Sequence, residues 1–162
     1  NWMNSYSGYL ADIAKWWSEN ISKDWLDIRS QTYGILQRED TLKEIVKLLG
    51  PEALPDEEKL ILEVARMVKI GILQQNSFDD VDTYCSPEKQ FKLMKLQVDF
   101  YNKGQQALKD GASLADIRSM NVISLLLKAR MDVKDDEMPK LDKIETDMKE
   151  QFKSVTGVKV QN

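Results

Sequence analysis

Apolar residues recur along this chain at helical rather than strand spacing. Tyr9, Ile13, Trp16 and Trp17 keep the i, i+4, i+7 rhythm of one helix face, and Asn20 to Lys23 breaks it. Trp25, Ile28, Ile35 and Leu36, then Leu42, Ile45, Val46 and Leu49, carry a second helix to Gly50-Pro51, where a glycine followed by a proline stops it. The acidic turn Glu52 to Glu58 places a proline and carboxylates where the next helix begins and its dipole is positive. That helix carries the stripe Leu60, Ile61, Val64, Met67, Val68 and Ile72. The rhythm fails from Gln74 to Cys85. Ser86-Pro87 restarts it with an N-cap and a proline at the first helical position, and Phe91, Met94, Val98, Tyr101 and Leu108 lead to a stop at Gly111.

Ser113, with Asp116 three residues on, opens a short helix that Asn121 separates from Val122 to Met131. After the polar link Lys134 to Pro139, Leu141, Ile144, Met148, Phe152 and Val155 mark a final amphipathic helix predicted to end near Gly157. That helix either completes the bundle or docks on a neighbour. No strand alternation persists beyond a few residues. The fold class is therefore all-α: one domain over residues 1–162, a bundle of about six to seven helices. Residues 1–22 form a lead-in helix, and residues 134–162 the C-terminal helix and tail. The start at Asn1, reaching Trp2, Met3 and Tyr6 at once, reads as a cut inside a longer polypeptide.

Composition narrows the function. With 42% hydrophobic residues against 31% charged, 162 residues bury a core without staples, and one cysteine, Cys85, forms no internal disulfide. A reducing, cytoplasmic setting follows as the expectation. A net charge of −4 gives no overall field to attract a phosphate backbone, so no nucleic-acid partner is expected. No apolar run approaches the length of a membrane span, so any membrane association is indirect. The chain has no histidine, which excludes histidine-based triads, Cys-His pairs and the usual zinc sites. It also lacks a Gly-x-x-x-x-Gly-Lys-Ser/Thr loop and a Gly-x-Gly-x-x-Gly turn. No catalytic residue is assigned. Asp79, Asp80 and Asp82 do not have the spacing of a calcium loop, and capping and solvation explain them better than a metal.

Phe78 fits no period. It stands among Gln74, Gln75, Asn76, Ser77, Asp79 and Asp80, either tucked under its own loop or offered to a flat ligand such as a base.

Here the residues match a known family. Leu62-Glu63-Val64-Ala65-Arg66-Met67 and Leu73-Gln74-Gln75-Asn76-Ser77-Phe78-Asp79-Asp80-Val81-Asp82-Thr83-Tyr84-Cys85-Ser86-Pro87-Glu88-Lys89 resemble the C-terminal region of the catalytic A subunit of archaeal and vacuolar-type rotary ATPases. Asn1 to Ser7 is similar to the family's passage from its nucleotide-binding domain into its helical domain, and Leu49 to Pro55 is familiar as well. The resemblance runs from Asn1 to about Met131 and is faint from Lys134 onward.

The resemblance implies an ATP synthase or ATPase motor moving protons or sodium. In it, three copies of the catalytic chain alternate with three non-catalytic B subunits around a central stalk, peripheral to the membrane. ATP or ADP with Mg²⁺ binds the intact catalytic chain. The phosphate loop lies upstream, so this chain alone is expected to be inactive and to hold no tightly bound cofactor. Phe78 takes the position of an aromatic residue set against the adenine ring. Leu73 matches a position that is aromatic in the F-type catalytic subunit, and Gln75 and Asn76 are candidate amide contacts to the base. The turn Glu52 to Glu58 aligns with the tip that presses on the central shaft in F-type relatives; the motif is more acidic there, and Ala53 and Pro55 interrupt it here. This alignment makes Leu54, Pro55, Asp56, Glu57 and Glu58 candidate rotor contacts. Against this stands a reading from the helices alone: a free-standing helical adaptor whose amphipathic faces bind partner helices.

Overall fold

The computed structural model describes residues 13–74 and 85–161. Residues 13–20 are helical (α1), followed by α2 (Trp25–Leu49), a 3₁₀ turn (Pro51–Ala53) and α3 (Asp56–Val68), which passes directly into a π turn (Lys69–Leu73). Then come α4 (Pro87–Lys109), α5 (Leu114–Arg118), α6 (Asn121–Asp132) and α7 (Pro139–Gln161). No strand occurs among the described residues.

The punctuation is where the sequence places it. Gly50 and Gly111 have φ of 86° and 97°, left-handed values that end α2 and α4 at little cost only with glycine. Ser86 Oγ accepts from the Lys89 amide at 3.2 Å, and Ser113 Oγ accepts from the Asp116 amide at 3.0 Å. At the Asn121 break the cap comes from another helix: Gln151 Oε1 of α7 accepts from the Val122 amide at 3.0 Å.

The bundle is built around α4, which touches α2, α3, α6, α7 and the π turn. Being central, it buries two faces. Leu93, Leu96, Phe100 and Ala107 enter the main core with Leu60, Val64, Met67, Ile117, Leu126, Leu141 and Met148. Met94 and Val98 meet Trp25 and Ile28 in a smaller cluster, with Ile13, Trp17 and Phe91 packed at its edge. The Trp17 and Trp25 rings stack at 5.3 Å. The stripe through Phe91, Met94 and Val98 is thus the minor face of this helix. Tyr9 lies outside the described residues, and Trp16 is exposed.

The final helix completes the bundle. Leu141, Ile144, Met148 and Phe152 are buried in the main core. It does not stop at Gly157 but runs on to Gln161. Glycine inside a helix costs about 1 kcal/mol against alanine, yet it ends one only by adopting a left-handed φ, and Gly157 does not.

An ion-pair cluster ties α7 to α4. Lys92 Nζ donates to Glu145 Oε1 at 3.2 Å and lies 3.5 Å from Asp142, while Lys95 lies 3.8 Å from Glu145 and donates to Asp99 at 2.8 Å. Burial pushes the Glu145 carboxyl upward, but the hydrogen bond and charge of Lys92, with Lys95 and Lys149, outweigh it and hold the group below its usual range. A carboxyl lowered by folding stabilises the fold above its unfolded pKa, and that contribution is lost as pH falls through the lowered value. Lys95 has the opposite sign: the Asp99 hydrogen bond raises it against some desolvation, so its contribution is present below its unfolded pKa and lost at more alkaline pH. Glu145→Gln should therefore cost up to about 1 kcal/mol in urea titrations at neutral pH. The variant and the parent should converge in acid, and a difference that ignores pH would show that the charge is not responsible.

Candidate functional site

The interruption between α3 and α4 is bounded by two ends that the structure fixes tightly. Gln75, Asn76, Phe78 and the aspartates Asp79, Asp80 and Asp82 lie outside the described residues; Leu73, Gln74, Cys85 and Ser86 frame them.

The first end is the π turn. Its hydrogen bond runs from the Gln74 amide to the Lys69 carbonyl, five residues back, at 2.8 Å. Neighbours hold this widened turn in place. A Cβ on Gly71 would stand 3.0 Å from the Leu126 carbonyl of α6 and 3.1 Å from Gln97 Nε2 of α4, so only a residue without a side chain lets the three elements meet undisturbed. Gln97, itself buried, reaches Met67 O at 3.5 Å. Arg130 Nη1, from α6, donates to Ile72 O at 2.6 Å, taking up a carbonyl at the end of the turn. Lys69 pairs at 2.6 Å with Glu39 of α2, whose carboxylate is buried and also lies 3.7 Å from Lys43. Leu73 is half-buried against the main core and Gln74 is exposed.

The second end is equally held. Cys85 is buried, and its carbonyl accepts from Gln90 Nε2 at 3.0 Å. The Ser86 amide donates to Asp135 Oδ1 at 3.1 Å. Lys89, fully buried, donates from Nζ to Arg130 O at 2.8 Å.

The other candidate lies at the end of α2. Pro55, Asp56 and Glu57 are exposed, with Asp56, Glu57 and Glu58 forming the first turn of α3. Glu52 pairs with Lys59 at 3.0 Å, and Glu58 lies 3.9 Å from Arg38. Leu54 points inward and is 4% exposed. The apolar surface of this tip comes from Leu48 and Leu49, 82% and 72% exposed, although the periodicity assigns Leu49 to the buried stripe. Helical spacing cannot reveal this, because it assigns a residue to a face and not to a neighbour that covers it. Among the described residues no acidic or thiol cluster could hold a metal, and no helix is long and apolar enough to cross a membrane.

The family model for the C-terminal domain of V and A type ATP synthase matches residues 14–118, well over half of the chain. The chain belongs to this family. Both framed ends and the acidic tip fall inside the stretch that defines a V/A-type C-terminal domain. Among curated relatives, the A subunit of the A-type ATP synthase from Hyperthermus butylicus is 46% identical over 150 residues, covering 91% of this chain and 25% of the relative. Its counterpart in Ignicoccus hospitalis is 43% identical over 158 residues, covering 96% of this chain and 26% of its own length. That of Methanopyrus kandleri is 43% identical over 155 residues, with the same two coverages. The chain thus spans about a quarter of the length of the relatives it matches. Coverage of 96% also takes in most of the stretch from Lys134 onward, which the recognisable motifs do not reach.

Proposed function

We propose that this domain closes the adenine side of the nucleotide site in the catalytic A subunit of an A/V-type ATP synthase and passes that closure to the rotor. The observation carrying the reading is that the two chain ends on either side of Phe78, both inside the matched family region, are held by partly buried hydrogen bonds, at the π turn and at Cys85-Ser86. A binding loop gains precision from rigid supports. Phe78 stacks on the adenine, Leu73 packs beneath it, and Gln75 and Asn76 meet the edge of the base. An upstream nucleotide-binding domain of the same polypeptide supplies the phosphate loop and the Mg²⁺ ligands. Closure moves the domain as a rigid body, and the tip carrying Pro55, Asp56, Glu57 and Glu58 shifts against the central stalk, with Leu48 and Leu49 adding apolar contact and Leu54 supporting the turn from within. Non-catalytic B subunits alternate with it, the complex lies on the cytoplasmic side of the membrane, and the work done is proton or sodium transport coupled to ATP.

Phe78→Ala in the assembled complex should remove about 1–3 kcal/mol of stacking, weakening MgATP binding roughly 5- to 150-fold with the domain still folded. Unchanged affinity with a lowered melting temperature would make the ring structural and sink the adenine reading.

A further inference from the structure

Arg130 stands between the two ends of the segment. Its guanidinium donates to Ile72 O on the π-turn side, and its own carbonyl accepts from Lys89 Nζ on the α4 side. Five residues on, Asp135 takes the Ser86 amide. Both ends therefore hang on one stretch, from the end of α6 into the link before α7. That stretch lies beyond residues 14–118, where the family model matches. It is stiffly mounted: Arg130 and Lys89 are 9% and 0% exposed, and Ala129 and Val133 beside Arg130 belong to the main core. One short stretch bonded to Ile72 on one side and to Lys89 and Ser86 on the other ties the two sides together, so a displacement at either is felt at both.

We propose that Arg130 is a positioning residue for nucleotide binding, clamping the chain ends that flank Phe78 so that the ring meets the base on a support that is already ordered. This rests on the adenine reading of Phe78. It also gives the region after residue 118 a role in substrate affinity as well as in packing.

The test is a double-mutant cycle on MgATP affinity in the catalytic head assembled from the full-length polypeptide. Arg130→Met keeps the unbranched stem of the side chain and removes the donor to Ile72 O; Arg130→Lys keeps a donor. Arg130→Met should raise the Kd for MgATP by about three- to tenfold, as expected when a binding group is displaced slightly. Arg130→Lys should recover most of that loss. In a Phe78→Ala background Arg130→Met should add little, because it acts through the ring. If the two effects multiply in full, or if Arg130→Met leaves Kd unchanged, the positioning role is overturned. If Phe78→Ala alone has no effect, the adenine reading fails instead. The clamp is then judged by amide exchange at Gln74 and Ser86. Faster exchange at both in Arg130→Met and at neither in Arg130→Lys supports it; acceleration at one end only, or at none, overturns it.

Discussion

Phe100→Ala should cost about 3–5 kcal/mol of folding stability, the usual range for deleting a fully buried aromatic ring. Phe100 is 0% exposed, and its ring lies 5.3 Å from that of Phe152, tilted by 60°. The pair joins the central helix α4 to α7, so truncation opens a cavity between elements that are far apart in sequence. Neighbours on several helices cannot all relax into such a gap. For a domain of this size the loss corresponds to a melting point lower by about 6–20 °C. Since natural domains hold only about 5–15 kcal/mol in total, the variant should sit near the limit of folding. Urea denaturation followed by circular dichroism measures this, and a loss below about 1 kcal/mol would mean that α7 does not pack on α4 as described.

The second large effect involves Leu60 and Gly104. Leu60 is 0% exposed, and a Cβ placed on Gly104 would come within 2.8 Å of its Cδ2. Leu60→Ala should cost about 2–5 kcal/mol. Gly104→Ala has two opposed effects: crowding of Leu60, about 1–3 kcal/mol, and a gain in helix propensity of about 1 kcal/mol. In the double variant the added methyl enters the space vacated by Leu60, so crowding vanishes and the propensity gain survives. The pair should then be at least about 1 kcal/mol more stable than the sum of the single losses. Strict additivity in the denaturation data would deny the contact between α3 and α4.

What could be read from the sequence was punctuation and period. Ser86-Pro87, Ser113, Gly50 and Gly111 act as caps and stops because local backbone chemistry suffices for those roles. Less visible were polar residues working inside. Glu39, Lys89, Gln97 and Arg130 look like solvent-facing residues in a linear pattern, and only the folded chain gives them their partners. The π turn was hidden for a similar reason. Ile72 continues the stripe from Val68 at helical spacing, so nothing in the pattern marks the wider turn that Gly71 and its neighbours require. The double burial of α4 follows from its central place, which a single stripe cannot express.

The wide turn over Lys69–Leu73 has a consequence for how this segment tolerates change in length. A helix that absorbs a surplus residue as one broad loop can keep its two flanks in register with everything around them. Loss of a single residue there would let the turn tighten to ordinary α geometry with the departing chain on its present heading. The same residues wound as ordinary α-helix would instead carry Gln74 roughly 100° further round the axis, while Cys85 stayed where α4 holds it. The heading of the segment thus depends on the extra residue being taken up within these five positions, so a substitution that closes the wide turn alters it where deletion of one residue does not.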